Sequence, residues 1–246
     1  GGFAIAAGLE LVVAYIRYLH FSQEDIAYLR ARGIFDEAFL EYLSQFRFTG
    51  DIFAVPEGTP VFPKEPLLTV RAPAIEAQLV ETYILLILNH QSLIATKANR
   101  VVRAAQGRRV LEFGSRRAQG AQGAILGARA AYIGGCAGTA CTISDQLYGV
   151  PAGGTMAHSW VQMFESEYEA FCTYCKTYPT NAVLLVDTYN TLKSGVPNAI
   201  RAFNEILKPL GIRKCGIRLD SGDMTYLTKK ARQMLDEAGW TECEIS

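Results

Sequence analysis

The first residue of chemical interest is a histidine that follows a glycine turn. The segment Pro151–Trp160, PAGGTMAHSW, has the pattern of a strand end, a turn at Gly153–Gly154 and a helix start. The glycines are expected to turn where a Cβ would be strained, and Ser159 is the expected N-cap. At such a junction, where free helix N–H groups gather, His158 can act as a nucleophile or a proton carrier. The alternative is a histidine that only hydrogen-bonds the turn. Taken alone, this segment slightly favours that alternative.

Other polar side chains follow strands in the second half of the chain. From Arg109 onward, short β segments alternate with longer helical segments at about 30 residues per unit, the pattern of parallel βαβ units. Loops after the carboxyl ends of parallel strands share one face, where ligands bind. We therefore expect the following residues to meet at one face: Ser115, Arg116, Arg117, Thr139, Thr155, His158, Asp187, Thr188, Arg218, Asp220, Ser221 and Asp223.

This set of side chains predicts a site for an anion and a sugar. Guanidinium groups bind carboxylate or phosphate bidentately, and carboxylates bind ribose hydroxyls or a divalent metal. No G-x-S-x-G motif is present, so a hydrolase triad is excluded. Simpler roles remain open: Arg116 and Arg117 can form surface ion pairs, and Asp220 or Ser221 can be an N-cap. Asp187 is interpreted as a strand-end turn residue. The set alone does not identify a reaction.

Composition excludes several classes of function. The chain has 246 residues, half of them apolar, which suffices for one large domain or two modest ones. A net charge of +0 gives no electrostatic argument for binding nucleic acid or an anionic membrane. The most apolar run, Tyr83–Leu88, is far too short to span a bilayer, and no signal peptide is visible. We expect a cytoplasmic protein.

The cysteines do not form a zinc site. Of six cysteines, only Cys172 and Cys175 form a C-x-x-C pair, and no second pair or nearby histidine completes a set of ligands. We expect reduced thiols, with a redox role for the pair as the alternative. No residue is assigned as a metal ligand.

Helices dominate the first part of the chain. Ser22 and Asp36 are expected N-caps, and Gly33 is the expected C-terminal glycine of the second helix. Apolar residues that recur every three or four positions predict helices over Leu9–Leu19, Gln23–Arg32 and Asp36–Phe46.

A change of pattern follows. Phe48–Arg71 alternates between apolar and polar residues with interspersed prolines, which predicts a small β-meander or half-barrel. Ala74–Ala105 predicts a long helix, either continuous or broken near Asn89–His90, and His90 is interpreted as a core or interface histidine.

Further strands are predicted at Val110–Phe113, Val150–Gly153, Ala182–Val186 and Lys214–Leu219. One amphipathic helix is predicted from Trp160 to Cys175.

The parallel units fit either an open sheet or a barrel. No G-x-G-x-x-G or G-x-x-x-x-G-K-[ST] loop is present, which disfavours the nucleotide-binding open sheet. A complete barrel of eight units needs roughly 200 residues or more, and too few follow Arg109. Both ends are interpreted as cut, since Gly1-Gly2 lacks a preceding methionine and leads straight into a helix pattern. Glu242–Ser246 ends within a starting strand, so we expect a fragment of a longer polypeptide.

Specific motifs then point to a family. They are EFGSRRAQG at Glu112–Gly120, GGTMAHSW at Gly153–Trp160, RLDSGD at Arg218–Asp223 and GDIFAVPEGTP at Gly50–Pro60, together with TKANR at Thr96–Arg100. Through them the chain resembles the nicotinate phosphoribosyltransferase family, among the type II phosphoribosyltransferases. The resemblance runs in order along essentially the whole chain.

The resemblance implies an α/β fold. An irregular β/α barrel, incomplete in this sequence, is joined to a discontinuous α/β N-terminal domain. The implied domains are 1–107, truncated at its start, and 108–246, truncated at its end. The implied reaction converts nicotinate and phosphoribosyl pyrophosphate to nicotinate mononucleotide and pyrophosphate. ATP hydrolysis through a phosphohistidine is coupled to it, with Mg²⁺, in cytoplasmic NAD salvage. Family enzymes are homodimers with active sites at the subunit interface.

The resemblance also implies residue roles. Among the catalytic residues, His158 corresponds to the phosphorylated histidine, and Asp220 works with Arg218 on the ring and ribose side of the nucleotide. Phe113 lies against the nicotinate ring, and Arg116 meets its carboxylate. The remaining substrate-binding residues are Thr139, Gly154, Thr155 and Ser221, of which Thr139 and the Gly153–Gly154 turn are candidate phosphate contacts.

The chain departs from the family pattern in three places. An N-terminal Tyr-Glu-Leu-Thr-Met-like motif and the C-terminal glycine-rich phosphate loops are absent, and Gly138–Cys141 reads GTAC where the family more often has GTSN. The first two departures suggest that the fragment alone does not turn over. Two other functions stay open: a nicotinamide-using relative, and an inactive truncated paralogue that serves as an interaction partner.

Overall fold

A computed structural model of the chain describes residues 2–246 and divides into two compact units. The first unit extends to Gly153 and the second comprises Gly154–Ser246. The domain boundary predicted from the sequence lies after Gly107 instead. It stays a prediction, because one compact unit can contain parts of more than one domain.

Six helices form most of the first unit. Ser22 and Asp25 form a capping box at the second helix, and Gly33 ends that helix with φ 64°. Asp36 caps the third helix by accepting from the Phe39 N–H at 2.8 Å. These caps confirm the sequence prediction. The helices are α1 (Leu9–Tyr18), α2 (Gln23–Arg32), α3 (Glu37–Ser44), α4 (Ala74–Ala104), α5 (Gly120–Ile133) and α6 (Thr142–Tyr148).

Two antiparallel strand pairs accompany these helices. β1 (Ala4–Ile5) pairs with β3 (Pro60–Val61), and β2 (Asp51–Ala54) pairs with β4 (Leu68–Arg71). The predicted meander is therefore wrong, because β3 pairs with the start of the chain and not with its sequence neighbours. The prediction that the first residues lead straight into a helix is also wrong, since β1 comes first. Gly1 itself lies outside the described residues.

The long helix α4 runs without a break through Asn89–His90. Its buried face continues past that point from Ile87 to Gln91 and Ser92, and the same face packs against α5. His90 is half-buried, with its Nε2 3.9 Å from the position of a Cβ built on Gly123 of α5. Among residues 2–246, no helix combines the length and apolar character needed to cross a bilayer.

Parallel strands follow α4 in the first unit. β5 (Leu111–Glu112) pairs in parallel with β6 (Gly138–Thr139), and α5 connects them. The strand predicted at Val150–Gly153 is reduced to one parallel bridge between Thr139 and Ala152. The βαβ arrangement predicted for this region is confirmed, with shorter strands.

The second unit is built on three parallel strands. β7 (Val183–Leu185), β8 (Gly216–Arg218) and β9 (Glu244–Ile245) lie in that order. Residues on both faces of the sheet are buried, as is typical of parallel sheets covered by helices. Its helices are α7 (His158–Val161), α8 (Glu167–Thr177), α9 (Val196–Ala202) and α10 (Met224–Glu237), with α9 flanked by π-helical turns at Thr191–Gly195 and Phe203–Leu207.

The helix after His158 differs from its prediction. The chain leaves the helical conformation after Val161 and begins a new helix at Glu167, where the Ser166 hydroxyl accepts from the Glu169 N–H at 3.2 Å. One continuous helix from Trp160 to Cys175 is therefore wrong. Ser159 is not an N-cap either, because α7 already begins at His158.

The C-x-x-C pair lies in the core of the second unit. Cys172 and Cys175 are free thiols packed among buried apolar residues. Burial, followed by the neighbouring Cys172, raises the pKa of the Cys175 thiol to about 12. A thiol with so high a pKa is a poor nucleophile, which argues against a redox role. Across residues 2–246 the strands form sheets of two or three and no closed barrel, so the barrel stays a prediction.

Candidate active site

Adjacent strand ends in the second unit bring several predicted residues together. Leu185 at the end of β7 pairs with Arg218 at the end of β8, so the loops after these strands begin side by side. Asp187 and Thr188 follow β7, and Asp220 and Ser221 follow β8. The start of α7 adds His158. The carboxyl ends of parallel strands thus gather these side chains, as the sequence pattern predicts.

His158 lies between two carboxylates. Its Nδ1 is 3.1 Å from the Thr188 hydroxyl oxygen. Its Nε2 is 3.9 Å from Asp187 Oδ1 and 3.6 Å from Asp220 Oδ2. The imidazole is 39 % exposed, so a ligand can reach it. This position goes beyond the role of a histidine that only hydrogen-bonds a turn.

Asp187 links the two strand-end loops. Its side chain is 2 % exposed. Its Oδ2 accepts from the Asp220 N–H at 2.9 Å and from the Ser221 hydroxyl at 2.6 Å. Its Oδ1, the oxygen nearest His158, has no hydrogen-bond partner among the described residues. Asp187 does stand at a strand end, as interpreted from the sequence, but its contacts reach well beyond a local turn.

Arg218 and Thr155 complete this group. The Arg218 guanidinium lies 3.1 Å from Asp220 Oδ2 and donates to the Thr155 hydroxyl at 3.1 Å. Because Asp223 caps α10 by accepting from the Tyr226 N–H, the N-cap alternatives for Asp220 and Ser221 are wrong. We call the group the His158 cluster; it comprises Thr155, His158, Asp187, Thr188, Arg218, Asp220 and Ser221.

The glycine turn before His158 is open. Neither Gly153 nor Gly154 has a positive φ, and a Cβ on either would meet no described atom within 4 Å. The argument that these positions require glycine for backbone strain is therefore wrong. Gly154 and Thr155 line an open pocket of about 500 Å³ whose wall includes Trp160 and Tyr174. The turn thus exposes backbone to a space where a ligand fits.

A second set of predicted residues lies in the first unit, at the end of β5. Phe113 is 39 % exposed, and Arg116 is exposed on the 3₁₀ turn Ser115–Arg117. Within residues 2–246 neither Arg116 nor its neighbour Arg117 forms an ion pair, so the surface ion-pair alternative has no support there. The buried Ser115 hydroxyl has no hydrogen-bond partner in the described part of the chain.

Glu112 holds this turn and was missed by the sequence reasoning. One of its carboxylate oxygens accepts from the Gly114 N–H, and the other accepts from the Thr139 hydroxyl at 2.7 Å. Thr139 is fully buried, and its hydroxyl oxygen also accepts from the Cys141 N–H at 3.0 Å. Thr139 therefore already serves the structure of the turn, and its phosphate contact stays a prediction. The only sequence signal for Glu112 was its place next to Phe113.

The two sets of site residues belong to different compact units. Phe113, Arg116 and Thr139 are in the first, and the His158 cluster with Gly154 is in the second. Their predicted meeting around one ligand stays a prediction. In the residues from 2 to 246, no three His, Cys, Asp or Glu side chains are placed to hold a metal ion.

Comparisons with known proteins agree with the motifs. Residues 1–89 match the model of the nicotinate phosphoribosyltransferase (NAPRTase) N-terminal domain. Nicotinate phosphoribosyltransferase pncB2 of Mycobacterium tuberculosis is 48 % identical over 245 residues, covering 99 % of this chain and 52 % of that protein. The Bacillus subtilis nicotinate phosphoribosyltransferase is 46 % identical over 244 residues, covering 99 % and 49 %. The chain thus spans about half the length of these relatives.

Solved structures show the same likeness. The crystal structure of human nicotinic acid phosphoribosyltransferase superimposes with a TM-score of 0.89 at 30 % identity, over 100 % of this chain and 61 % of that one. The nicotinate-nucleotide pyrophosphorylase of Pyrococcus furiosus superimposes with a TM-score of 0.77 at 24 % identity, over 99 % and 55 %, and shows the fold alone. The predicted mixed α/β fold is confirmed.

Proposed function

This chain belongs to the nicotinate phosphoribosyltransferase family, and we propose that its protein converts nicotinate and phosphoribosyl pyrophosphate to nicotinate mononucleotide and pyrophosphate. The reaction is coupled to ATP hydrolysis in NAD salvage. The observation that carries the proposal is the His158 cluster. There an accessible imidazole lies 3.6 Å from Asp220 and 3.9 Å from Asp187 at the ends of two adjacent parallel strands.

His158 is suited to accept a phosphoryl group. When Nδ1 carries the proton and donates to Thr188, Nε2 keeps its lone pair for attack. In the proposed step a bond forms between Nε2 and the γ-phosphorus of ATP, and the bond to the bridging oxygen breaks as ADP leaves. Asp187 and Asp220 then stabilise positive charge on the ring during transfer.

The group after β8 is assigned to the ribose. Loss of pyrophosphate gives the anomeric carbon oxocarbenium character, and a nearby carboxylate stabilises such charge. Asp220 is 42 % exposed and is oriented by Arg218 at 3.1 Å. Thr155, Ser221 and the open Gly154 backbone are proposed contacts for ribose and phosphate.

The turn after β5 is assigned to the pyridine ring. Phe113 exposes an aromatic face for stacking, and Arg116 offers a guanidinium for the carboxylate. Two neighbouring arginines without an ion pair among the described residues favour an acid over its amide. Nicotinamide is therefore the second candidate substrate. Thr139, whose hydroxyl donates to Glu112 of this turn, is also proposed to contribute to phosphate binding.

Magnesium is proposed to arrive with the polyphosphates. Mg²⁺ is commonly bound through substrate phosphates and few protein carboxylates, and when bound it neutralises phosphate charge. The described residues do not form a metal-binding group of their own. We therefore assign no protein ligand to it.

The architecture and setting of the protein are also part of the proposal. The parallel strands of both units are proposed to belong to an irregular β/α barrel, with the site shared between the subunits of a homodimer. The likeness to the human structure supports the mixed α/β fold, and the barrel and the homodimer are carried over from the family resemblance. A cytoplasmic location fits a salvage enzyme.

A direct assay tests the proposal. The full-length protein is incubated with nicotinate, phosphoribosyl pyrophosphate and MgATP, and nicotinate mononucleotide is measured, with nicotinamide as the matched substrate. We expect product with nicotinate and little with nicotinamide. Faster turnover of nicotinamide would favour the second candidate. If neither nicotinate nor nicotinamide gives product, the hypothesis of an inactive interaction partner would be favoured. Labelled γ-phosphate should modify the wild type, and equal labelling of His158→Ala would refute the phosphohistidine.

A further inference from the structure

Glu167 is a buried carboxylate that the proposed reaction does not use. It is the first residue of α8 and is 5 % exposed. One oxygen accepts from the Asn198 amide of α9 at 3.2 Å, whereas the hydroxyl of the nearby Ser194 donates to the Asn190 carbonyl oxygen at 3.0 Å. Its Oε1 has no hydrogen-bond partner among the described residues. Glu167 thus joins the start of α8 to the segment that precedes and begins α9.

That segment is in tight contact with the end of β7. A Cβ built on Gly195 would lie 1.8 Å from the Val186 carbonyl oxygen, so Gly195 rests directly on the strand end. Asn190 stabilises the intervening turn by accepting from the Lys193 N–H at 2.8 Å. Ser194 precedes Gly195, and Asp187 follows Val186. A displacement at the start of α9, which Asn198 ties to Glu167, therefore reaches the carboxylate that faces His158 through Gly195 and Val186.

An electrostatic interaction also links Glu167 and Asp187. Burial raises the pKa of Glu167, the hydrogen bond from Asn198 opposes this, and the negative charge of Asp187 raises it further. The two buried carboxylates are therefore close enough for the charge of one to act on the other. The cations on neighbouring elements, Lys193 and Arg201, are exposed, and Arg201 pairs with Glu205.

We infer that Glu167 is a positioning residue for His158: by holding the start of α9, and with it Gly195 and the end of β7, against α8, it fixes the carboxylate of Asp187 opposite the imidazole. This inference rests on the proposed function, since it assigns Glu167 to the phosphorylation of His158. A side chain of full length is required, because its oxygen must reach the Asn198 amide, and an amide oxygen can accept that bond as a carboxylate oxygen does. A negative charge is not required, so an amide of the same length should replace the carboxyl group.

Three variants of the full-length protein separate length from charge. Glu167→Gln keeps the length and is neutral, Glu167→Asp keeps the acid and is shorter, and Glu167→Ala removes both. Glu169→Ala, an exposed carboxylate on the same helix, is the matched control. The measurements are the rate of His158 labelling by γ-labelled ATP, the KM for nicotinate and the melting temperature.

The variants are expected to fall into two groups by their rate of His158 labelling. Glu167→Gln and Glu169→Ala should label His158 at rates close to the wild type. Glu167→Asp and Glu167→Ala should label it about tenfold to hundredfold more slowly, the cost of misplacing a reacting group by an ångström or less. The KM for nicotinate should change little in every folded variant, since Phe113 and Arg116 bind the ring. If Glu167→Ala does not fold, the comparison of Gln with Asp remains decisive.

Two results would overturn the inference. They are wild-type labelling by a folded Glu167→Asp, and a folded Glu167→Gln as slow as the shortened variants. In both cases product formation by the wild type would leave the proposed function intact. A wild type that neither labels nor makes nicotinate mononucleotide would overturn the proposed function and this inference together.

Discussion

Asp187 accepts a 2.6 Å hydrogen bond from the Ser221 hydroxyl, and this contact joins the loops after β7 and β8. The other oxygen of the same carboxylate is the one that faces His158. One buried side chain thus fixes the spacing of the two loops and the environment of the histidine. Its replacement should alter both stability and chemistry.

Asp187→Asn tests this double role. The amide oxygen can replace Oδ2 and accept from both the Asp220 N–H and the Ser221 hydroxyl. Its NH2 group, however, replaces the charged Oδ1 that faces His158, at a buried position where Oδ1 has no hydrogen-bond partner among the described residues. We expect a loss of about 1–3 kcal/mol in unfolding free energy, the usual cost of an unsatisfied buried group. We also expect at least tenfold slower labelling of His158 by ATP, because the variant loses a carboxylate that would stabilise positive charge on the ring during transfer. Ser221→Ala, which keeps the charge opposite His158, is the control and should lose stability with little change in the rate of His158 labelling. Equal labelling of Asp187→Asn and wild type would contradict the assignment.

Arg116→Ala tests the choice of acid over amide. A charge-assisted bidentate contact is worth about 1.5–3 kcal/mol, so the affinity for nicotinate should fall about tenfold to hundredfold. Nicotinamide lacks the carboxylate and should lose much less. Competitive binding of both ligands to the variant and to Arg117→Ala gives the comparison. An equal loss for acid and amide in Arg116→Ala would remove the basis for preferring the acid.

Arg129→Met tests a buried charge in the first unit. The Arg129 side chain is 7 % exposed and bonds Glu57 at 2.7 Å, Glu10 and the Gln91 amide oxygen. Removing one partner of a buried pair leaves the other uncompensated, at a cost of about 3–5 kcal/mol. Denaturant unfolding should show this loss. Arg30→Met, which breaks the exposed pair with Glu37, should change stability far less. A similar small change in both variants would count against a structural role for Arg129.

The stability that Glu57 contributes to the fold should depend on pH in a direction set by its contacts. Burial alone would raise its pKa, but the hydrogen bond and charge of Arg129 and the Gly8 N–H lower the pKa below its ordinary value of 4.5. The unfolded chain therefore binds this proton more readily than the folded one, so the stabilisation is present above pH 4.5. It is lost as the pH falls through the lower folded pKa. As the pH falls below 4.5, the free energy of unfolding should decrease less steeply for Glu57→Gln than for the wild type. Parallel curves of unfolding free energy against pH would argue against this linkage.

Local signals were enough to predict the helices at the start of the chain. The Ser22 capping box, Asp36 and Gly33 act within a few residues, and the structure has them as predicted. The strand ends in the second unit were also predictable, because buried apolar runs followed by polar residues are a strong pattern. These signals placed His158, Asp187 and Asp220 near one another.

Tertiary contacts account for what the sequence did not predict. The apolar spacing from Trp160 to Cys175 continues across the break after Val161, so periodicity alone could not locate it. β1 has two residues and pairs with β3, which is a long-range contact. The contacts of Asp187 and Glu167 depend on which strands and helices are neighbours in space. No local pattern specifies that.

The brevity of α7 has a consequence for motion. Four helical residues bearing His158 are followed by turns up to Glu167, whereas β7, β8 and α8 form the buried core beside them. Short segments of this kind open at far lower free energy than the elements around them. Amide hydrogen exchange should therefore be fast at His158 and Ser159, which precede the buried Val161, and slow in β8. If His158 is phosphorylated and regenerated as proposed, it would then change its orientation while the surrounding framework keeps its shape.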